Sequence, residues 1–203
     1  MIPKSRLEAF TDGVLAIVIT IMVLEIKVPH GGDWSAIVPL AGKFISYVLS
    51  FLYVGIYWNN HHHTLHAARS VDAPVMWANL HLLFWLSLLP FTTGWLGENH
   101  FEQNPMILYG INLLLAAFAY YLFTLALASH HGRDSELAKA LGRDWKGKLS
   151  IAAYVVGVGL SLVQPWLGFA CFAGVALLWL IPDRRMRAVL ESPDAIHRFE
   201  KAE

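Results

Sequence analysis

Six long apolar stretches constrain this chain more than any other feature of its sequence. A membrane-spanning helix needs roughly 20 mainly apolar residues, and runs of that kind occupy most of the 203 residues. Hydrophobic residues make up 56% of the chain and charged residues 15%, whereas soluble domains average about 45–50% apolar and about 25% charged residues. We therefore predict an all-α membrane protein with six transmembrane helices, at about residues 7–28, 35–61, 73–96, 105–129, 149–163 and 167–181.

The basic residues indicate how these helices are oriented. The chain ends and the loops after helices two and four hold most of them, whereas the loop GENHFEQN between helices three and four holds none. Because Lys and Arg concentrate on the cytoplasmic side of a membrane, this alternation predicts cytoplasmic termini and favours an even number of helices. The cytoplasmic side carries Lys4, Arg6, Arg69, Arg133, Lys139, Arg143, Lys146, Lys148, Arg184, Arg185, Arg187, Arg198 and Lys201, and the outer side carries Lys27 and Lys43.

Other parts of the sequence narrow the class of protein. A formal net charge of zero gives no reason to expect nucleic-acid binding. The single cysteine, Cys171, cannot form a disulfide within the chain and is expected to be a small packing residue. The first apolar run is too long for a cleavable signal peptide. A polar linker at about 130–148 and a polar tail at about 183–203 are too short to fold alone, so residues 1–203 are predicted to form one membrane domain.

Two local signals predict details of the helices. Pro90, in LLPFTTGW, is expected to kink helix three, and the hydroxyl of Thr92 or Thr93 is expected to bond the carbonyls that the proline leaves free. In the linker, Ser135 is expected to cap a short helix through ELAKAL.

An acidic residue at the start of the first apolar run is the strongest functional signal, because ionisable groups inside a bilayer are costly. Asp12 lies roughly two turns into helix one, beside Thr11 and Gly13. One interpretation is an interfacial acid favoured by the positive end of the helix dipole. The other is a packed polar cluster that includes Arg6.

A second signal is one threonine in an otherwise apolar helix. Thr20 shares a helix face with Ile17, Ile21 and Leu24, at spacings of i, i+3, i+4 and i+7. Every face of this helix is apolar, so periodicity does not tell whether that face meets lipid, protein or water.

Histidines cluster at the end of helix two. His61, His62, His63 and His66 follow one another there, and His62 and His66 are spaced to share a helix face. Such a cluster is compatible with metal or haem binding. The sequence favours the other interpretation, interfacial groups that bond neighbouring helices, because neither cysteine nor an HExxH motif completes a metal site.

Several of these residues match a known family. Arg6-x-x-x-Phe10-Thr11-Asp12 resembles the RxxxFSD signature of the transmembrane protein 175 potassium channels, with threonine in place of serine. Trp58-x-x-His61-His62 resembles the end of that family's second helix, and Asn79-Leu80 and Leu89-Pro90-Phe91-Thr92 resemble its third. The resemblance covers the first half of the chain; helices four to six match only in number and hydrophobicity.

The resemblance implies a fold and a function. In this family, chains with one six-helix repeat assemble as tetramers, and this chain carries the signature once. The resemblance therefore implies a homotetramer in the cell membrane, with helix one lining its central pore. The protein is expected to be a passive, potassium-selective cation channel, permeated by K⁺, without enzyme activity, cofactor or bound metal. The alternatives are a metal- or haem-binding membrane enzyme that uses the histidine cluster, and a proton-conducting or proton-coupled transporter.

The resemblance also implies roles for individual residues. Ile17 forms a hydrophobic constriction, Thr20 contributes to selectivity, and Ile21 and Leu24 form further apolar layers. Residues that hold helix one against helices two and three are Arg6, Phe10, Thr11, Asp12, His61, His62 and Asn79. Two roles stay open for Glu25: it concentrates cations at the outer mouth, or it pairs with Lys27 or Lys43.

Overall fold

The structure is a computed structural model that describes residues 4–132, 135–142 and 144–181. These residues form helices joined by short turns. The helices are α1 (Lys4–Leu24), α2 (Ala41–Ala67), α3 (Ala73–Ser87), α4 (Leu89–Glu98), α5 (Gln103–His131), α6 (Glu136–Gly142), α7 (Trp145–Ser161) and α8 (Pro165–Leu180). Of the basic residues used to predict orientation, Arg133, Arg143, Arg184, Arg185, Arg187, Arg198 and Lys201 lie outside the described residues, as does the predicted polar tail.

Among the described residues, four helical segments are long and apolar enough to cross a membrane. They are Lys4–Leu24, Trp34–Ala67, Ala73–Glu98 and Gln103–His131. The last two predicted helices occur as α7, with 17 residues, and α8, with 16 residues. At about 1.5 Å per residue each of these is about 25 Å long, somewhat short for a hydrocarbon core of about 30 Å. That all six cross the membrane therefore stays a prediction.

The predicted boundaries of the second helix need correction at both ends. The helix was expected from about residue 35, but the chain first forms two short 3₁₀ turns, Trp34–Ala36 and Val38–Leu40. Pro39 lies in the second turn and has no backbone N–H to donate, so the regular helix begins only after it. The helix then continues through the histidine cluster to Ala67, which keeps all four histidines on α2.

The predicted kink in helix three is confirmed as a break between α3 and α4 at Leu88. Pro90 is the second residue of α4, where its missing N–H interrupts the hydrogen-bond ladder. The hydroxyl of Thr92 donates at 3.3 Å to the carbonyl oxygens of Leu88 and Leu89. The prediction that it bonds the carbonyl freed by Pro90 is not borne out, because that carbonyl belongs to Leu86 and accepts from the Leu88 N–H. Asn112 of α5 donates to the Thr92 hydroxyl at 3.2 Å, which ties the break to the next helix.

Helix α5 is central to the packing of the described residues. It contacts α3, α4, α6, α7 and α8. Its buried side chains, including Tyr109, Leu113 and Phe123, lie in the apolar core. Tyr109 also bonds the buried hydroxyl of Ser50 at 3.0 Å, so α2 is fixed to the same core.

One close approach brings α2 and α4 together. A Cβ added at Gly97 would lie 2.8 Å from the Cα of Lys43 and 2.5 Å from the Ser46 hydroxyl. Only glycine leaves room for the two backbones at this contact. Small residues commonly serve this purpose between membrane helices.

The C-terminal helices begin at polar side chains. Ser135 accepts a hydrogen bond from the Ala138 N–H at 3.1 Å, which confirms the predicted cap of α6. Asp144 caps α7 by accepting from the Gly147 N–H at 3.0 Å. Cys171 is partly buried and packs against the core, as expected for a small packing residue.

Candidate functional site: the first helix and its supports

Helix α1 has a packed side and an exposed side. It contacts α2, α3 and α4. Its buried residues lie along one side and are Leu7, Thr11, Leu15, Val18 and Met22. The orientation of α1 is therefore fixed by the rest of the chain.

The face predicted from the i, i+3, i+4, i+7 spacing lies on the exposed side. Ile17 is 59% exposed and Leu24 is 77% exposed, and Thr20 and Ile21 are exposed as well. None of these four side chains takes part in the core of the chain. Exposed apolar side chains on successive turns form a continuous surface that needs lipid or protein against it.

The hydroxyl of Thr20 is bonded within its own helix. It donates to the carbonyl oxygen of Ile17 at 2.9 Å. Because its hydrogen is used there, the hydroxyl oxygen presents its lone pairs outward. The exposed face therefore carries a hydrogen-bond acceptor between its apolar residues.

A buried polar network fixes the packed side of α1. The side-chain amide of Asn79 donates to the Thr11 hydroxyl at 3.0 Å, and its carbonyl oxygen lies 2.8 Å from Nε2 of His61. With the amide in this orientation, Nε2 of His61 is the donor. All three residues are 3% exposed or less. The His61 ring also stacks on Phe123, with centroids 5.1 Å apart, so the network joins α1, α2, α3 and α5.

Asp12 is held by a residue that the sequence did not single out as a support. The indole N–H of Trp58 donates to a carboxylate oxygen of Asp12 at 3.0 Å. Both side chains are exposed, so this bond is weaker than one in the core. The sequence did offer a signal for this role. Trp58 belongs to the Trp58-x-x-His61-His62 pattern and lies one helical turn before the histidine pair that was predicted to support α1.

Three predicted supports do not join either contact. Arg6 is exposed and has no hydrogen-bond or ion-pair partner among the residues that the structure describes. Phe10 is 54% exposed and lies seven residues before Ile17, on the same side of α1. His62 stacks on Trp58 and His66 of its own helix and not on α1. The predicted cluster is thus reduced to Thr11, Asp12, His61 and Asn79.

Lys4 is a further support that the sequence analysis counted only as a topological charge. Its ammonium group donates to the carbonyl oxygens of Leu65, His66 and Ala68 at 3.2, 3.4 and 3.1 Å. These carbonyls lie at the C-terminal end of α2, where a cation is favoured by the helix dipole. Lys4 therefore ties the start of α1 to the end of α2.

Just after the C-terminal end of α1, Glu25 lies beside α4. Its side chain packs beside Gly94, with Glu25 Oε2 3.7 Å from the position that a Cβ would take there, an ordinary van der Waals distance. Lys43, one of its two expected partners, instead pairs with Glu98 at 3.0 Å. Within the described part of the chain Glu25 forms no ion pair, which removes the pairing with Lys27 or Lys43.

The described residues contain no group of three or more histidine, cysteine or acidic side chains arranged to hold a metal ion. The polar residues of α1 instead orient a helix. Their arrangement holds one side of α1 rigidly and leaves the other side free for contacts beyond this chain.

Comparisons with known proteins agree with these features. Residues 6–90 match the family model described as endosomal/lysosomal potassium channel TMEM175. The chain is 48% identical over 188 residues to a potassium channel of Chryseobacterium sp. (strain P1-3), covering 93% of this chain and 98% of that one. It is 31% identical over 187 residues to a potassium channel of Streptomyces collinus, covering 87% and 91%.

One solved structure is similar over nearly its whole length. It is the crystal structure of a lysosomal potassium-selective channel TMEM175 homolog from Chamaesiphon minutus, with a TM-score of 0.77 and 26% identity. The match covers 87% of this chain and 96% of the other. The similarity therefore extends beyond the first half, to which the sequence motifs were confined.

Proposed function

We propose, from the premise that this chain belongs to the TMEM175 family of potassium channels, that it is a potassium-selective cation channel that conducts passively. Relatives that match nearly the whole chain are named potassium channels. The family is one of ion channels, so the proposal of a membrane enzyme is withdrawn. Four copies of the chain are proposed to surround a central pore in the cell membrane, with both termini in the cytoplasm.

The exposed face of α1 is the observation that carries this proposal. The other side of the helix is fixed in the core, so the face with Ile17, Thr20, Ile21 and Leu24 points away from its own chain. Four such faces around an axis form a pore lined by side chains. In this arrangement the Thr11–Asn79–His61 network and the Trp58–Asp12 bond set the rotation of α1 and thus the position of Ile17.

Conduction through such a pore differs from conduction through a filter of carbonyl groups. In a continuous helix the backbone carbonyls are already bonded and do not replace the hydration shell of an ion. A ring of four Ile17 side chains is proposed to control the flow by excluding water, as hydrophobic constrictions do. Selectivity then depends on pore width, on the cost of partial dehydration, and on the acceptor oxygens of four Thr20 hydroxyls. We expect it to be modest.

Ion flux from liposomes tests this proposal. The reconstituted protein is expected to pass K⁺ faster than Na⁺. Ile17→Ala and Ile17→Asp are expected to raise the flux or reduce the preference for K⁺, because both remove the apolar constriction. Ile19→Ala is the matched control: Ile19 has the same side chain on the same helix but packs against the core, so the preference should not change.

The outcomes separate the alternatives. If folded protein passes neither K⁺ nor Na⁺, the channel proposal fails. If it passes protons but not K⁺, the proton-conducting alternative takes its place. If Ile19→Ala changes selectivity as much as Ile17→Ala, α1 does not present the proposed face to the pore.

A further inference from the structure

The end of α2 carries a row of exposed rings that the proposed channel does not use. Trp58, His62 and His66 follow one another at intervals of four residues. The centroids of Trp58 and His62 are 6.0 Å apart, and those of His62 and His66 are 5.9 Å apart. Both histidines are exposed. By contrast, His61, which belongs to the buried network, is not accessible.

We propose that His62 and His66 bind a divalent transition-metal ion, of the class of Ni²⁺, Zn²⁺ or Cu²⁺, in a two-histidine site on the surface of α2. Imidazole is the side chain that suits these ions, whereas K⁺ and Mg²⁺ prefer oxygen ligands. Histidines at i and i+4 on one helix are the pair that binds zinc in the HExxH motif. The other ligands here are water molecules.

The observed spacing fits this use. Two imidazoles bound to one zinc ion at about 2.1 Å and a roughly tetrahedral angle place their ring centroids about 5 Å apart. The observed separation of 5.9 Å therefore needs a movement of about 1 Å, together with a turn of two exposed rings from their stacked arrangement. The backbone of α2 already supplies the required spacing.

Charges on the facing part of α1 are mixed. Lys4 and Asp12 of α1 both contact α2, at the His66 carbonyl and at Trp58 respectively. Glu8 lies one helical turn from each of them, on the same side of α1. The Lys4 ammonium is directed at backbone carbonyls of α2 and not at the imidazole rings. The site has two protein ligands, since no cluster of three occurs in the described ranges, so binding is reversible.

Calorimetric titration with Ni²⁺ tests the site on the full chain, purified in detergent with a tag that contains no histidine. Wild type is expected to bind the ion at neutral pH. His62→Ala and His66→Ala are each expected to weaken binding by at least the roughly tenfold that loss of an outer-shell partner costs. His30→Ala is the control, because His30 is exposed and precedes α2, whereas the His63 ring lies 5.7 Å from that of His62.

A spectroscopic measurement gives a second, independent readout. With Cu²⁺ as the probe, the electron paramagnetic resonance spectrum of wild type should show two coordinated nitrogens, and each single variant should show one. Neither readout depends on ion flux, so the metal-site proposal would stand even if the channel proposal failed. Equal affinities in wild type and both variants, an equal loss in His30→Ala, or a spectrum without nitrogen coordination would overturn the metal-site proposal.

Discussion

Replacing Asn79 with alanine should destabilise the protein more than replacing an exposed asparagine with alanine, because Asn79 bonds two buried partners. The change leaves the Thr11 hydroxyl without its donor and the Nε2–H of His61 without its acceptor. A buried group without a partner costs about 1–3 kcal/mol in soluble proteins, which would give about 2–6 kcal/mol for two. Hydrogen bonds between membrane helices average about 0.6 kcal/mol, which gives about 1.2 kcal/mol. We expect a loss of about 1–3 kcal/mol in the free energy of unfolding.

Unfolding by SDS in mixed micelles, followed by tryptophan fluorescence, measures this loss. Asn59→Ala is the matched control, because Asn59 is an exposed asparagine inside α2. The gain in helix propensity from Asn to Ala is the same at both sites, so the difference between the variants isolates the network. A difference below about 0.5 kcal/mol, the usual range of exposed substitutions, would refute the reasoning.

A double-mutant cycle isolates the bond between α1 and α3. Thr11→Val keeps the shape of the side chain and removes the hydroxyl that accepts from Asn79. The coupling energy between Thr11→Val and Asn79→Ala is expected to be about 0.6–1.7 kcal/mol, the range of such bonds in a membrane. A coupling energy of zero would show that the two residues act independently.

Three further predictions concern contacts around α1 and α2. Trp58→Phe removes the indole donor from Asp12 but leaves an exposed carboxylate, so it should cost less than Asn79→Ala, about 0.5–1.5 kcal/mol, in the same unfolding assay. Gly97→Ala should lower the free energy of unfolding by about 1–3 kcal/mol, because the added methyl group would overpack against α2. Gly55→Ala is the control and should be neutral or stabilising, because a Cβ there meets nothing within 4 Å. Equal thermal midpoints for the two variants would contradict this. Lys4→Met should lower the thermal midpoint and Lys4→Arg should restore most of it, because a cation at the end of α2 is favoured by about 0.3–1 kcal/mol; no difference between the two would show that the charge contributes nothing.

The sequence predicts the helices better than it predicts their orientation. Apolar runs and charged loops locate the helices, while Pro90 and Ser135 mark a break and a cap by local chemistry that acts within a few residues. The start of α2 was less predictable. The chain takes two 3₁₀ turns around Pro39 before the helix begins, and apolar composition does not distinguish these turns from a helix.

The exposed face of α1 could not be derived from its own sequence. All faces of this helix are apolar, so its sequence alone does not show which side is buried. That side is determined by packing against α2, α3 and α4. The same limit explains why Arg6 and Phe10 do not join the support cluster. The motif groups them with Thr11, but helical geometry places them away from the buried side of α1 on which Thr11 lies. Trp58 was missed for the complementary reason: its partner Asp12 is on another helix, 46 residues away.

Silver-ion accessibility along α1 would test the central claim most directly. Single cysteines are introduced at Ile17, Ile21 and Leu24 on the exposed face and at Val18 and Met22 on the packed face, with Cys171 replaced by alanine. The K⁺ flux of each variant is then measured before and after addition of Ag⁺, which binds thiolate and has a size close to that of K⁺. Inhibition confined to the exposed-face cysteines is the result expected if this face of α1 lines the pore; inhibition at Val18 or Met22, or at none of the five positions in conducting protein, would contradict it.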